Sequence, residues 1–266
     1  MKTRVFVAVV GVAFWVASVG AGELEETFDK SYPLQAGQHF SLRNVNGRVY
    51  VYGWDRNEVR IRALKRVYGN SRKHAEQILD QIEIRVERDK DGIRVDTITP
   101  KIVSRGFLSW LFDGFGSHSL TVRYSIWLPN DVVAEIRTVN GAIYAEDLKG
   151  DLEFRSTNGK IRIENVAGRV SARTTNGSVL VELIRVDPDA DIRVHTTNGS
   201  VKVFLPEDFA GTIEARTTNG AISTDFPVKV HGRISRRALV GTIGEGTARC
   251  KISTTNGSVK ILKIDK

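Results

Sequence analysis

The dipeptide Asn-Gly occurs seven times, at Asn46, Asn140, Asn158, Asn176, Asn198, Asn219 and Asn256, and after Asn140 the successive gaps are 18, 18, 22, 21 and 37 residues. A unit near 20 residues is too short to bury an apolar face alone, so such a chain must stack its units on one another. The likeness extends beyond the dipeptide. Four residues before each Asn stand Leu42, Ile136, Phe154, Ala172, Val194, Ala215 and Ile252. Three residues after it stand Val49, Ile143, Ile161, Val179, Val201, Ile222 and Val259, and five after it Val51, Ala145, Ile163, Val181, Val203, Thr224 and Ile261. In strands, where side chains alternate with period two, all of these face one way, into a core.

Asn-Gly between alternating strands is also the signature of a type I′ hairpin. The sequence therefore offers two all-β architectures. One is a β-solenoid, a parallel β-helix-like repeat array with a small α+β N-terminal cap. The other is an antiparallel β-sandwich of Asn-Gly hairpins. A fixed phase of residue types at a period near 20 favours the solenoid, in which like positions stack about 4.8 Å apart. A third apolar group eight residues after Asn (Leu148, Val166, Ile184, Ile264) suggests three short sides per coil. Aligning Gly232-Arg233-Ile234-Ser235 with Gly168-Arg169-Val170-Ser171 places a degenerate unit near 232–246, making seven units over residues 130–266. Cys250 falls on an inward position and reads as an inert core residue.

Residues 23–129 form the cap module and contain the first Asn-Gly unit. Glu58 to Lys65 alternates as a strand, and Ser71 to Gln81 reads as a short helix with Ser71 or Asn70 as N-cap. Asp89-Lys90-Asp91-Gly92 signals a hairpin, and Leu120 to Leu128 another strand. Between these lies a glycine-bounded apolar loop with Phe107, Trp110, Phe112 and Phe115. It reads either as a finger that contacts a partner or membrane, or as a plug over the end of the core.

Residues 1–22 carry Lys2 and Arg4, then no charge from Val5 to Gly22, ending in small residues, which reads as a signal peptide cleaved after Ala21 or Gly22. Retention as an anchor is the alternative, since 18 uncharged residues reach the length of a span. Export follows in either case, to the periplasm, cell surface or medium, with no later integral span. Without the leader 37 basic residues stand against 31 acidic ones, a formal +6. That excess either serves solubility or points to anionic envelope polymers before nucleic acid. One Cys in 266 residues excludes an internal disulfide and a thiolate zinc cage, and five His leave little for a metal centre.

The segment VNGRVYVYGWDRNEVRIRALKR, units such as RTTNGSVLVEL and the late GTIGEG resemble the DUF4097 family of adhesin-like bacterial proteins. The resemblance covers nearly all of residues 36–266. It implies an exported or membrane-anchored β-solenoid domain, in some members tied to envelope-stress systems, and it carries over no catalytic residues.

No GxSxG, HExxH, Walker loop or dinucleotide fingerprint is present, so no catalytic, metal or cofactor residue is assigned. Outward carboxylates at Glu146, Glu164, Glu182 and Asp225 read as a solvated ladder, with a carbohydrate-active enzyme as the alternative. The candidate anionic-ligand face lies three residues before Asn: Arg137, Arg155, Arg173 and Arg216, in phase with Arg43 and His195. Glu135, Glu153 and Glu214, two residues earlier on the same face, compete for those guanidinium groups. The sequence thus reads as a non-enzymatic binding or scaffold module of the cell envelope, contacting an anionic polymer, an envelope protein or a membrane surface. End-to-end self-association is the structural alternative.

Overall fold

The computed structural model describes residues 16–20, 23–69, 71–99, 119–230 and 235–264. Strands β1 (Val16–Gly20), β2 (Glu23–Pro33), β3 (His39–Arg43), β4 (Val49–Trp54) and β5 (Glu58–Tyr68) precede helix α1 (Arg72–Leu79). Then come β6 (Glu83–Arg88), β7 (Gly92–Ile98), β8 (Ser119–Pro129), β9 (Asp131–Arg137), β10 (Ile143–Glu146) and β11 (Lys149–Arg155). They are followed by β12 (Ile161–Asn176), β13 (Val179–Arg185), β14 (Asp191–Asn198), β15 (Val201–Leu205), β16 (Gly211–Asn219) and β17 (Ile222–Thr224). The last are β18 (Lys229–Val230), β19 (Ala238–Ile243), β20 (Ala248–Asn256) and β21 (Val259–Lys263).

The Asn-Gly units are coils of a β-solenoid. Each Asn-Gly turn joins two strands of one coil, and each strand pairs in parallel with its equivalent in the next coil. Ile143 lies opposite Ile161, and Leu152 opposite Val170. This register rules out the hairpin sandwich, which needs antiparallel neighbours across each turn. The strands before Asn form a front ladder, β7–β3–β9–β11–β12–β14–β20–β16. Those after Asn form a back ladder, β8–β4–β10–β12–β13–β15–β21–β17. The long β12 belongs to both.

Inward positions build one continuous core. The whole column from Leu42 to Ile252 is buried, as is Cys250 between Ile192 and Ile213. Leu148 and Val166 are buried at the corner leading to the next coil, which closes the core without a third strand ladder. Ile184 departs from that phase. The register shifts between β12 and β13 so that Leu183 lies opposite Val166 and turns inward, leaving Ile184 46% exposed.

The turns are held by polar ladders. Asn140 Nδ2 donates to Asn46 Oδ1, and the relay continues through Asn158, Asn176, Asn198, Asn256 and Asn219 at 2.7–2.8 Å. Beneath it, the Ser156, Thr174, Thr196, Thr254 and Thr217 hydroxyls each donate to the glycine carbonyl of a neighbouring coil. Gly177 shows why the second turn residue has no side chain. Its φ is +156°, and a Cβ there would lie 2.3 Å from the Gly159 carbonyl oxygen.

Three features depart from the sequence reading. First, the Asn46 unit stacks directly on the Asn140 coil, so residues 55–130 are an insertion between them. They add β7 and β8 as one more layer, with antiparallel β6 beyond β7 and β5 beyond β8, and β2, from before the first unit, pairs on the outer edge of β5. Second, the coils do not stack in chain order. The last coil, β20 and β21, lies between the Asn198 and Asn219 coils. Third, within the segment aligned as a degenerate coil near 232–246, the described residues from Ser235 onward do not form one. Ala238–Ile243 runs antiparallel along the edge of β16 that β20 does not occupy.

In the cap, Ser71 Oγ accepts from the His74 amide at the start of α1, and Asp89 Oδ1 accepts from the Asp91 and Gly92 amides in the hairpin. Helix α1 buries Ala75, Ile78 and Leu79. A buried ion pair, Lys65 Nζ to Glu26 Oε1 at 2.9 Å, ties β5 to β2. Most of the predicted leader lies outside the described residues; Val16–Gly20 forms β1, paired antiparallel with β2. No helix among the described residues is long and apolar enough to cross a membrane.

Candidate binding face

The column three residues before Asn points outward from the front ladder, since its neighbours on either side are buried. In space it reads Arg43, Arg137, Arg155, Arg173, His195, Ser253, Arg216. Arg137, Arg155 and Arg173 are successive neighbours, within about 10 Å at the interstrand spacing. Arg216 is not their neighbour, being separated from Arg173 by His195 and Ser253.

Carboxylates two residues earlier on the same face neutralise most of this row. Arg137 Nε lies 2.6 Å from Glu135, and its Nη2 3.4 Å from Glu153, which also pairs with Arg155. Glu214 takes Arg216 at 3.0 Å and Lys251 at 3.6 Å. Arg173 has no such partner, because Ser171 occupies the position where Glu135 and Glu153 stand in earlier coils.

Around Arg173, three adjacent strands present six outward positions without a carboxylate: Ser171 and Arg173 on β12, Arg193 and His195 on β14, Lys251 and Ser253 on β20. His195 Nδ1 and Ser253 Oγ share a hydrogen bond of 2.8 Å. Partial burial lowers the His195 pKa from its ordinary value, and the adjacent Arg173 charge lowers it further. At neutral pH the block therefore holds three formal cations, two hydroxyls and an imidazole kept neutral. At the margins Arg193 shares its charge with Asp191 and Lys251 with Glu214, which leaves Arg173 as the cation of the block without a carboxylate among the described residues. Such a surface suits carboxylate or phosphate groups on a ligand.

The block is made by the threading. Lys251 and Ser253 come from the last coil, 58 residues after Arg193 and His195. Sequence phase alone put Arg173 beside His195 but gave no sign that β20 follows β14 in space.

The other predicted residues sort differently. Phe107, Trp110, Phe112 and Phe115 lie outside the described residues; the chain leaves β7 at Ile98 and returns in β8 at Ser119. Among the outward carboxylates, Glu146 and Glu164 are neighbours, and Arg162 holds Glu164 through two bonds of 2.6 and 2.7 Å. Phe204 and Leu262 interrupt the row before Asp225, so it is not a continuous acidic ladder. Among the described residues no group of three or more His, Cys, Asp or Glu is arranged to hold a metal. Burial pushes the Cys250 thiol up to about 12, which leaves it protonated and unreactive.

An outward aromatic cluster on the back ladder was not singled out in the sequence. Tyr50 stacks on Tyr144 with centroids 5.0 Å apart, and Tyr52 on Trp127 at 5.8 Å. Cations cover the remaining ring faces, Lys160 on Tyr144, Arg60 on Trp127 and Arg56 on Trp54. The alternation VYVYGW carries the signal, with Tyr50, Tyr52 and Trp54 sharing the outward phase.

Residues 134–262 match the family described as Toastrack DUF4097. A solved structure of a candidate cell adhesion protein from Clostridium sporogenes is similar to this chain with TM-score 0.52 and 11% identity. The similarity covers 90% of this chain and all of that one, and it establishes a shared fold. A candidate adhesin from Bacteroides fragilis gives TM-score 0.41 and 11% identity over 88% of this chain and 96% of its own. No curated protein matches the sequence.

Proposed function

Taking as premise that residues 134–262 form a Toastrack domain of the DUF4097 family, we propose that the protein is a non-enzymatic binding module exported to the cell envelope. It holds anionic envelope polymers on the front ladder at Arg173. The observation that carries this reading is the carboxylate-free block of Ser171, Arg173, Arg193, His195, Lys251 and Ser253. Its backbone is fixed by parallel ladders on both sides, so the cations are held in a spaced row rather than on a loop. Export is supported by the basic, apolar and small-residue succession of residues 1–22.

A glycosidase reading finds less support. Glu164 is engaged by Arg162, and the acidic column is broken by apolar side chains rather than arranged as an acid and a base across a cleft.

The test is binding of polygalacturonate, a linear carboxylated glycan, by the wild type and by the double variant Arg173→Ser, Lys251→Ser. Each lost cation is expected to weaken binding roughly fivefold at low salt, from about 1 kcal/mol of Coulomb energy in water. Binding that is unchanged in the variant and insensitive to salt would overturn the reading.

A further inference from the structure

A second cationic surface stands on the opposite ladder, at the cap end. Side chains facing out of the back ladder form rows that run across the strands. One row contains Leu64, Arg123, Arg48, Ala142 and Lys160. Leu64 is the partner of Arg123, while Arg48 and Lys160 precede the stacked pair Val49 and Ile161 on either side of Ile143. The next row contains Arg62, Ser125, Tyr50, Tyr144 and Arg162. On β8, β4, β10 and β12 carboxylates enter only in the third row, at Glu146 and Glu164, beyond Trp127 and Tyr52, while on β2 Asp29 flanks the second row.

Arg48, Arg62, Arg123 and Lys160 are exposed, and none makes an ion pair with another described residue. Asp29 is the register partner of Arg62, but both its carboxylate oxygens are taken by Arg60, at 2.9 and 2.8 Å. Arg162 is held by Glu164. Elsewhere on the molecule, outward arginines such as Arg137, Arg155 and Arg216 have a glutamate two residues away. Here the residues two positions on from Arg123, Arg48 and Lys160 are Ser125, Tyr50 and Arg162. Like charges side by side on a sheet are destabilising, so four unpaired cations over five strands work against folding unless a ligand supplies the counter-charge.

We propose that this face binds a linear polyanion lying across the strands, along the axis of the coil stack. The cations are spread over four interstrand spacings, about 19 Å, on a sheet surface. That geometry suits a chain of repeated charges rather than a single small anion in a pocket. The Ser125 hydroxyl and the tyrosine rows flank the cations with hydrogen-bonding groups. A lipid bilayer fits less well. The described aromatic rings here are stacked on one another or covered by cations, and among the described residues Tyr68, 41% exposed, is the one large hydrophobic of this surface that projects substantially. The site lies on the other ladder from Arg173 and does not rest on the role proposed there.

The experiment measures binding of the purified chain to polygalacturonate, to inorganic polyphosphate, and to vesicles of phosphatidylglycerol and phosphatidylcholine. The variants are Arg48→Ser, Arg62→Ser, Arg123→Ser together, the same three positions changed to Lys, and the front-face pair at Arg173 and Lys251. We expect the triple Ser variant to lose about a hundredfold in affinity for at least one soluble polymer at low salt, roughly fivefold per arginine. The triple Lys variant, which keeps the charge, should retain most of it. Loss in the back-face variant with none in the front-face variant supports this proposal and removes the one at Arg173; the reverse overturns this one. Equal loss in the Ser and Lys variants, or binding to vesicles without binding to either soluble polymer, also overturns it.

Discussion

If the last coil lies between two earlier ones, disulfide trapping on the outward column of the front ladder should report it directly. His195 is the register partner of Ser253, and Ser253 of Arg216. Adjacent strands lie about 4.8 Å apart, so each of these pairs falls inside the 4.4–6.8 Å Cα separation that a disulfide accepts. His195 and Arg216 are two strands apart, about 9.6 Å, and cannot be bridged without moving the backbone. Three double variants therefore discriminate: His195→Cys with Ser253→Cys, Ser253→Cys with Arg216→Cys, and His195→Cys with Arg216→Cys. Under mild oxidation the first two should close, read as a mobility shift on non-reducing gels and confirmed by peptide mass, and the third should stay reduced. The native Cys250 does not interfere, being buried with its thiol pKa pushed up to about 12. All three positions face outward, so the substitutions leave the core intact. Stacking in chain order would put the Asn219 coil directly on the Asn198 coil. Closure of His195→Cys with Arg216→Cys in the folded monomer would thus refute the threading, and with it the block around Arg173.

Two more predictions use the same geometry. Asn176 donates to Asn158 and accepts from Asn198, so Asn176→Ala removes two side-chain bonds. It should cost about 1–2 kcal/mol, a fall in Tm of several degrees, while Asn219→Ala, at the end of the relay, should cost about half as much. Equal melting shifts in the two variants would show that the relay does not stabilise the fold. His195 has a lowered pKa when folded, so the unfolded chain binds its proton first as pH falls. Stability is full above the ordinary value near 6.5 and declines as pH drops through it towards the lowered folded value. Urea midpoints between pH 7.5 and 5 should fall more in the wild type than in His195→Gln; parallel profiles would contradict the assignment.

The repeat made the coil legible because its constraint is local. Period-two alternation around Asn-Gly placed Leu42, Phe154, Val201 and Ile261 in the core, and the phase of Cys250 placed it with them. The cap helix and the Asp89 hairpin were also readable, since a cap or a turn is written within four residues. Phase failed at Ile184, where a register shift lets Leu183 turn inward, because nothing adjacent in sequence marks a bulge. It also failed to separate neutralised arginines from free ones. That difference depends on whether Glu153 or Ser171 stands beside them and on which strand follows across the ladder. The back-face cations were illegible for a related reason. Arg62 and Arg123 lie on strands of an insertion with no repeat phase, and Arg48 and Lys160 in the turns that lead into β4 and β12.

The order of the coils has a physical cause that the repeat cannot express. Every coil offers the same ladder of backbone groups, Asn side chain and threonine hydroxyl, so coils are nearly interchangeable as neighbours. What breaks the degeneracy is β19. It pairs antiparallel along β16 from Gly211 to Arg216 and fills one of the two edges of that strand. The last coil can then reach β16 only on its other edge, where β20 pairs in parallel from Gly211 to Asn219. The assembly β19–β16–β20 is thereby a unit whose free edge belongs to β20, and β20 presents that edge to β14. The same step that closes the end of the stack sets Lys251 and Ser253 beside Arg193 and His195. The charged block around Arg173 is thus a consequence of how the array is terminated, since a solenoid stacked in chain order would place Glu214 and Arg216 there, and their ion pair would cancel the charge.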